Sequence, residues 1–251
     1  MREYGAREVG LVALAVAFTA STAIAAGTWK SVRGKPAQRQ IRITGSAKKR
    51  ITSDLIEWSA TVDAKASDRT AAYKELRGGV DRAVAFLQKQ GIRPEEIRPQ
   101  SASFKQEFET QYIGVGPNRI EKRVPIGYAT TETITVRSTD VARIEKASRE
   151  ITSLLEQGVS ITSNDPLYYY TRLGELKLEM LAAAGRDARS RAENILRSTG
   201  GGSIGRLLGA DMGIININPA NSSQTSEQGN NDTTSLEKDI ITIVHADYEL
   251  N

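Results

Sequence analysis

The chain contains no cysteine and a single histidine, His245, among 251 residues. The first absence excludes zinc ribbons, iron–sulfur clusters, thiol nucleophiles and disulfide scaffolds. The second excludes any metal site built on two or more histidines, and no metal or cofactor is expected. G-x-S-x-G occurs once in letters, at Gly201–Gly205, but after a helix and before a strand, the reverse of the strand-to-helix turn that makes the nucleophile elbow of the α/β-hydrolases. An excess of charge of one sign is also lacking. The net charge of +4 and pI near 9.2 are only mildly basic. The remaining composition is ordinary: 39% hydrophobic and 25% charged residues, which excludes a disordered chain and a multi-pass membrane protein. The length is one or two domains' worth.

Val9 to Trp29 carries no charge. At 1.5 Å per residue its 21 residues give a helix of about 31 Å, near the hydrocarbon thickness of a bilayer. The first reading is a retained anchor, with residues 9–29 in the membrane. The second is a secretory signal, for which Ala23-Ile24-Ala25 supplies a cleavage site. A signal-like start exports the rest of the chain. The flank from Lys30 to Arg50 carries only basic charges and points the other way by the positive-inside rule. The expected layout is an anchor or signal segment at 1–30, a basic linker at 31–39, and one domain over 40–251. That domain has a possible division near residue 140. The basic flank reads as solvated and able to rest on anionic head groups.

Alternation marks the strands. Ile56, Trp58, Ala60, Val62, Ala64 and Ala66 share one face of a strand over Ile51–Ala66. Tyr73, Leu76, Val80, Ala83, Val84 and Leu87 then recur at helical steps, giving a helix over Thr70–Lys89. A connector with two prolines comes next. Ser101–Ile113 and Tyr128–Arg137 pair as a long hairpin around the turn residues GVGPN. Asp140 caps a second helix that stops near Gly158, and Val159–Ser163 is a short strand. A third helix runs over Tyr169–Ser198. Gly205–Ile217 reads as a strand, 216–235 as a polar low-complexity loop with no means of burying a core, and Ile240–Leu250 as a closing strand. The order β-β-α-β-β-α-β-α-β-β favours hairpins over crossovers. The fold class is therefore α+β, mainly antiparallel sheet with about three packed helices.

Few constellations carry chemistry. GGGSIG, Gly200–Gly205, matches a dinucleotide loop in letters but comes after a helix instead of opening one, so it reads as a helix stop. His245 with Asp247 two residues on could form part of a triad; a strand histidine with a structural or solvent-facing role is the plainer reading. Glu57, Asp63, Glu107 and Glu109 offer carboxylates, mostly at solvent-facing strand positions. Tyr168-Tyr169-Tyr170 is the densest aromatic cluster, read as packing where strand meets helix. Basic residues on the third helix alternate with acids, which argues against a nucleic-acid partner.

Three segments resemble the SIMPL-domain (DUF541) family of periplasmic immunogenic 26-kDa-like proteins. They are ITGSAKKRITSDLIEWSATV at 43–62, GYATTETITVRSTDVARI at 127–144, and LAAAGRDARSRAENILRSTGG at 181–201 with Ala188-Arg189-Ser190-Arg191-Ala192 at its centre. The resemblance implies an α+β extracytoplasmic protein, self-assembly into rings in some members, and a link to oxidative-stress tolerance. It implies no catalytic, cofactor-binding or metal-binding residue.

The expected function is thus a non-enzymatic, membrane-tethered envelope protein whose partner is a second copy of itself. The rivals are a hydrolase using carboxylates or His245, and an exported soluble ligand-binding module. The hairpin, at about 43 Å for 13 residues, is longer than the usual strand and is expected to project beyond its sheet. Residues 101–137 are then the expected contact between copies.

Overall fold

A computed structural model gives the fold and describes residues 4–33, 39–114 and 119–251. Its first element is the helix α1, Tyr4–Arg33. Within it Gly10–Trp29 is long and apolar enough to cross a membrane, with mean hydropathy 1.8 and no part buried in the protein. A signal sequence meets the same test. Most of the basic linker expected at 31–39, and the turn residues 115–118, lie outside the described residues.

The remainder is α+β with antiparallel sheets, as the hydrophobic periods require. The chain divides into two compact units, one of 46–187 with 212–244, the other of 1–45, 188–211 and 245–251.

In the first unit a six-stranded sheet has the order β3-β5-β2-β6, with β4 beside β5 and β7 beside β2. These strands are β2 (Leu55–Ala66), β3 (Ile97–Pro99), β4 (Ser103–Ile113), β5 (Ile120–Ser138), β6 (Ser160–Ser163) and β7 (Leu167–Tyr169). Strand β2 lies at the centre, in register from Ile56↔Ser138 to Ala66↔Tyr128 with β5. Its alternate residues Ile56, Trp58, Ala60, Val62 and Ala64 are buried, as strict period two predicts. Helix α2 (Arg69–Lys89) starts where the Asp68 carboxylate accepts from the Ala71 amide at 2.9 Å. It buries Leu76, Val80, Ala83 and Leu87 on the same core. A Cβ at Gly79 would stand 2.9 Å from Val62 Cγ1, so glycine sets how closely this helix meets the sheet. Helix α3 (Val141–Glu150), capped by Asp140, tightens into a 3₁₀ helix over Ile151–Gln157 and stops at Gly158, with φ of 73°. The buried Trp58 indole donates to Ser163 Oγ at 3.0 Å.

The other sheet has the order β1-β10-β8, with β9 beside β10. Its strands are β1 (Gln40–Thr52), β8 (Ile204–Met212), β9 (Asn216–Pro219) and β10 (Glu237–Leu250). Helix α4 (Leu173–Thr199) supplies Leu176 and Met180 to a cluster with Ile51, Ile217 and Ile240 in the first unit. In the second unit its Ala188 and Ala192 pack with Ala246 and Tyr248. Alanine at every fourth position lets a helix approach closely without a gap.

Several boundaries differ from the sequence expectation. The stretch around 51–66 is two strands, broken at Ser53-Asp54, where the Asp54 carboxylate accepts from Thr171 N and Oγ1. Strand β5 begins at Ile120, not Tyr128. Tyr168 and Tyr169 belong to β7, and the helix starts only at Leu173. The basic flank is folded strand at its far end: Lys48 and Arg50 both pair with Asp239, at 3.0 Å each, and Lys49 with Glu179 at 2.8 Å. Those cations neutralise acids of their own domain and are not a free lipid-facing run.

Candidate functional site

The residues singled out in the sequence do not converge. His245 is exposed on β10, with Nδ1 3.0 Å from Thr44 Oγ1. Asp247 does not orient the ring. It accepts from Arg42 Nε at 2.7 Å and Nη2 at 2.9 Å, and those bonds hold its carboxyl below the usual range. Glu57 and Asp63 lie six residues apart on β2, about 20 Å along the strand. Asp63 accepts from Ser160 Oγ at 2.9 Å, Glu107 faces Lys65 at 3.9 Å, and Glu109 is exposed. Gly200 and Gly202 have φ of 67° and 90° and end α4, so GGGSIG is a helix stop. The three tyrosines are half-buried packing residues. Burial pushes the Tyr168 hydroxyl up to about 12, helped by its 2.7 Å bond to Glu145 Oε1. Among the described residues no group of three or more His, Asp or Glu side chains could hold a metal.

Two other features stand out. The first is the β4–β5 hairpin. Its register runs from Ser103↔Thr131 to Ile113↔Ile120 and shifts at Glu107/Phe108, where Gly127 and Pro125 face the two residues and Ile126 is the extra one. Glycine is needed at 127, because a Cβ would lie 2.5 Å from the Ala66 carbonyl oxygen. Strand β2 ends opposite Tyr128, so beyond that point β5 has only β4 beside it. The outer edge of β4 has no strand partner among the described residues. Apolar side chains here are open to solvent, from 43% at Phe108 to 68% at Ile120. Arginines stack along one face: Arg69 over Phe104 at 4.4 Å, Arg123 over Phe108 at 4.9 Å and Arg119 over Tyr112 at 3.8 Å. Helix α2 reaches this stretch at Phe104, through Arg69 and Tyr73, whereas Phe108, Tyr112, Ile113 and Ile120 stay exposed.

The second is the segment 216–239, of which 216–235 was expected to be a polar loop with no means of burying a core. It buries a polar network instead. Asn216 Oδ1 accepts from the amides of Ser226 and Asn230, at 3.0 and 3.1 Å. Asn218 donates to Gln224 O at 2.5 Å and accepts from Asn230 Nδ2 at 2.9 Å. Two asparagines on one face of β9 thus organise the adjoining loop. Asp239, next along β10, accepts from Arg50, Lys48 and the Asn221 amide, and these hold its carboxyl well below the usual range. Lys238 is buried with Nζ donating to Tyr168 O at 2.9 Å and to Asp232 O. Burial pushes its pKa down. Composition concealed these residues. The visible signal is position: Asn216-Ile217-Asn218 and Lys238-Asp239-Ile240 set polar residues beside apolar ones that must be buried. Glu132, buried among the core-facing residues of β5 and paired with Arg77 at 3.4 Å, was missed for the same reason.

The family model of SIMPL, described as a protein of unknown function (DUF541), matches residues 41–244. No curated protein matches the chain. Among solved structures, the chain is similar to a hydantoinase/carbamoylase family amidase from Burkholderia ambifaria. The identity is 16% and the TM-score 0.24, over 45% of this chain and 28% of that one. It is also similar to an uncharacterized conserved protein from Listeria innocua, at 9% identity and a TM-score of 0.23, over 86% of this chain and 97% of that one. At such TM-scores neither likeness carries an argument.

Proposed function

The chain belongs to the SIMPL family, whose description assigns no activity, and on that premise we propose that it is a self-associating envelope protein and not an enzyme. The N-terminal helix holds it in the membrane, with the folded domain on the extracytoplasmic side. A contribution to oxidative-stress tolerance is the reading that the family resemblance supports. The observation that carries self-association is the hairpin beyond Tyr128. A free strand edge bearing open Phe108, Tyr112, Ile113 and Ile120 is an invitation to pair with another chain. A second copy brings the same edge and the same aromatic side chains, so one contact covers both.

The test replaces Thr110–Arg123 by an Asn-Gly turn in the detergent-extracted full chain. A folded protein with fewer subunits, by sedimentation or mass, is the expected result. An unchanged subunit number refutes the hairpin as the contact. Retention of the helix is checked separately: the protein stays in the membrane pellet through high-salt washing, because salt screens adsorption but not apolar burial. A mature N-terminus at Ala26 refutes that part.

A further inference from the structure

Strand β4 has β5 on one side and, among the described residues, no strand on the other. Two copies that meet through the same free edge are related by a two-fold axis, and the two strands run antiparallel. Side chains alternate between the faces, so a one-residue slip would turn every side chain over. The axis must therefore pass through a residue. Positions equally far on either side of that residue then face each other across it.

Few residues qualify. An axis through Glu107 or Glu109 sets that glutamate against itself, and an axis through Phe108 sets Glu107 against Glu109 twice. Like charges directly opposite are destabilising. Axes from Gln106 back set Tyr112 opposite Gln100 or an earlier residue. Gln100 lies before β4 and gives its amide to Thr133 O at 2.9 Å, so the exposed tip would stay uncovered. Axes from Gln111 onward set Phe108 opposite Gly114 or a later residue, past the end of β4.

An axis through Thr110 has none of these faults. It sets Phe108, 43% exposed, opposite Tyr112, 51% exposed, and does so twice. Facing aromatic pairs are among those that stabilise a sheet. It sets Glu109 opposite the Gln111 amide, which has Lys122 beside it in register. Ile113 meets Glu107, whose carboxylate already faces Lys65 at 3.9 Å. Glu121, opposite Tyr112 in its own hairpin, balances Arg119 and Arg123, which stack on the paired rings.

We propose that β4 of one copy pairs antiparallel with β4 of a second about a two-fold axis at Thr110, Phe108 of each against Tyr112 of the other. This rests on the self-association proposed above and fixes its symmetry: the contact is closed, so the hairpin joins copies in pairs.

The chain has no cysteine, so a single introduced thiol can be linked only to its own copy. The test uses the detergent-extracted full chain and a short bifunctional thiol cross-linker. Thr110→Cys sets the two thiols on the axis, with Cβ atoms about 5 Å apart, and gives a linked pair on a denaturing gel. Gln106→Cys sets them eight strand positions apart, about 26 Å, and gives none. Gln111→Glu places a second carboxylate against Glu109 and weakens pairing about tenfold by sedimentation. Adding Glu109→Lys makes the facing charges opposite and restores it. No linked pair from Thr110→Cys, a linked pair from Gln106→Cys, undiminished pairing in Gln111→Glu, or no recovery in the double variant overturns the register. Failure of the underlying reading looks different. An unchanged subunit number after replacement of Thr110–Arg123 refutes the hairpin as the contact, whereas fewer subunits there without a link at Thr110→Cys refutes the two-fold register alone.

Discussion

Asn218 and Asp239 are each 1% exposed, whereas Ile120, in a stretch richer in apolar side chains, is 68% exposed. Both lie in the unit of 46–187 and 212–244. The polar stretch goes inside because nearly every group in it has a partner. The Asn216 carbonyl has two amides, Asn218 has both a donor and an acceptor, and Asp239 has two cations and an amide. The apolar stretch stays outside because β2 ends opposite Tyr128 and, among the described residues, β5 has only β4 beside it from there to Ile120. Burial is thus decided by whether partners are supplied, and residue type alone does not set it. In one region the partners are in the same chain. In the other, on the proposed reading, they are in the next copy.

The comparison breaks first at Lys238. Lys238→Ala leaves two carbonyls without donors and Asp232 without its neighbouring cation. Loss of about 3 kcal/mol of stability is expected, the scale seen when one partner of a buried charged pair is removed. Urea unfolding of the extracted protein measures it. A loss below about 1 kcal/mol would mean that the segment is solvated and the contrast with the hairpin false. Asn218→Ala comes next, at about 2 kcal/mol, because Gln224 O and Asn230 Nδ2 lose their buried partner together.

Acid sharpens the same contrast. Arg50 and Lys48 hold the Asp239 carboxyl low, and Arg93 holds Glu96 at about 2. A carboxyl with a lowered folded pKa contributes stability that is present above its unfolded value and is lost as pH falls toward the folded one. For Glu96 that window runs from about 4.5 down to about 2. Stability therefore declines through this range. Asp239→Asn, less stable at neutral pH, loses less on acidification than the wild type. An equal slope in both would show that Asp239 is not paired in solution.

Much of the fold was legible because period two and period 3.6 survive wherever one face is buried. Ile56 to Ala64 and Leu76 to Leu87 announced their core faces, and Asp140 announced its cap. The hairpin was legible from its length. The polar network was not, since an asparagine inside and one outside are the same letter. Only the geometry of β9 against β10, with Asn218 opposite Asp239, decides which it is. Strand β1 hid behind its cations, because Lys48 and Arg50 are strand residues only once Asp239 is across from them. The triad reading of His245 failed on Arg42, a residue 205 positions from Asp247 that no local pattern connects to it.

The smallest effect is expected at the hairpin tip, and it is the one that separates the two regions most sharply. Tyr112 is half-exposed and its ring contact in the chain is the Arg119 guanidinium at 3.8 Å. An exposed cation–π contact is worth about 0.5–1 kcal/mol. Tyr112→Ser should therefore cost the isolated subunit no more than about 1 kcal/mol. Ile120→Ser should be within about 0.5 kcal/mol of neutral, as surface substitutions usually are. Neither has the packing that would make truncation expensive in a core. The double variant should nonetheless shift the protein toward fewer subunits at a given concentration, because the same side chains are covered in the assembly. The two readouts must part company: urea unfolding measured on the dissociated protein barely moves, while sedimentation does. If instead unfolding shifts by several kcal/mol and the subunit number holds, the tip is packed within its own chain. Its apolar residues would then obey the ordinary rule, and the contrast with the buried asparagines would come down to the polar segment alone.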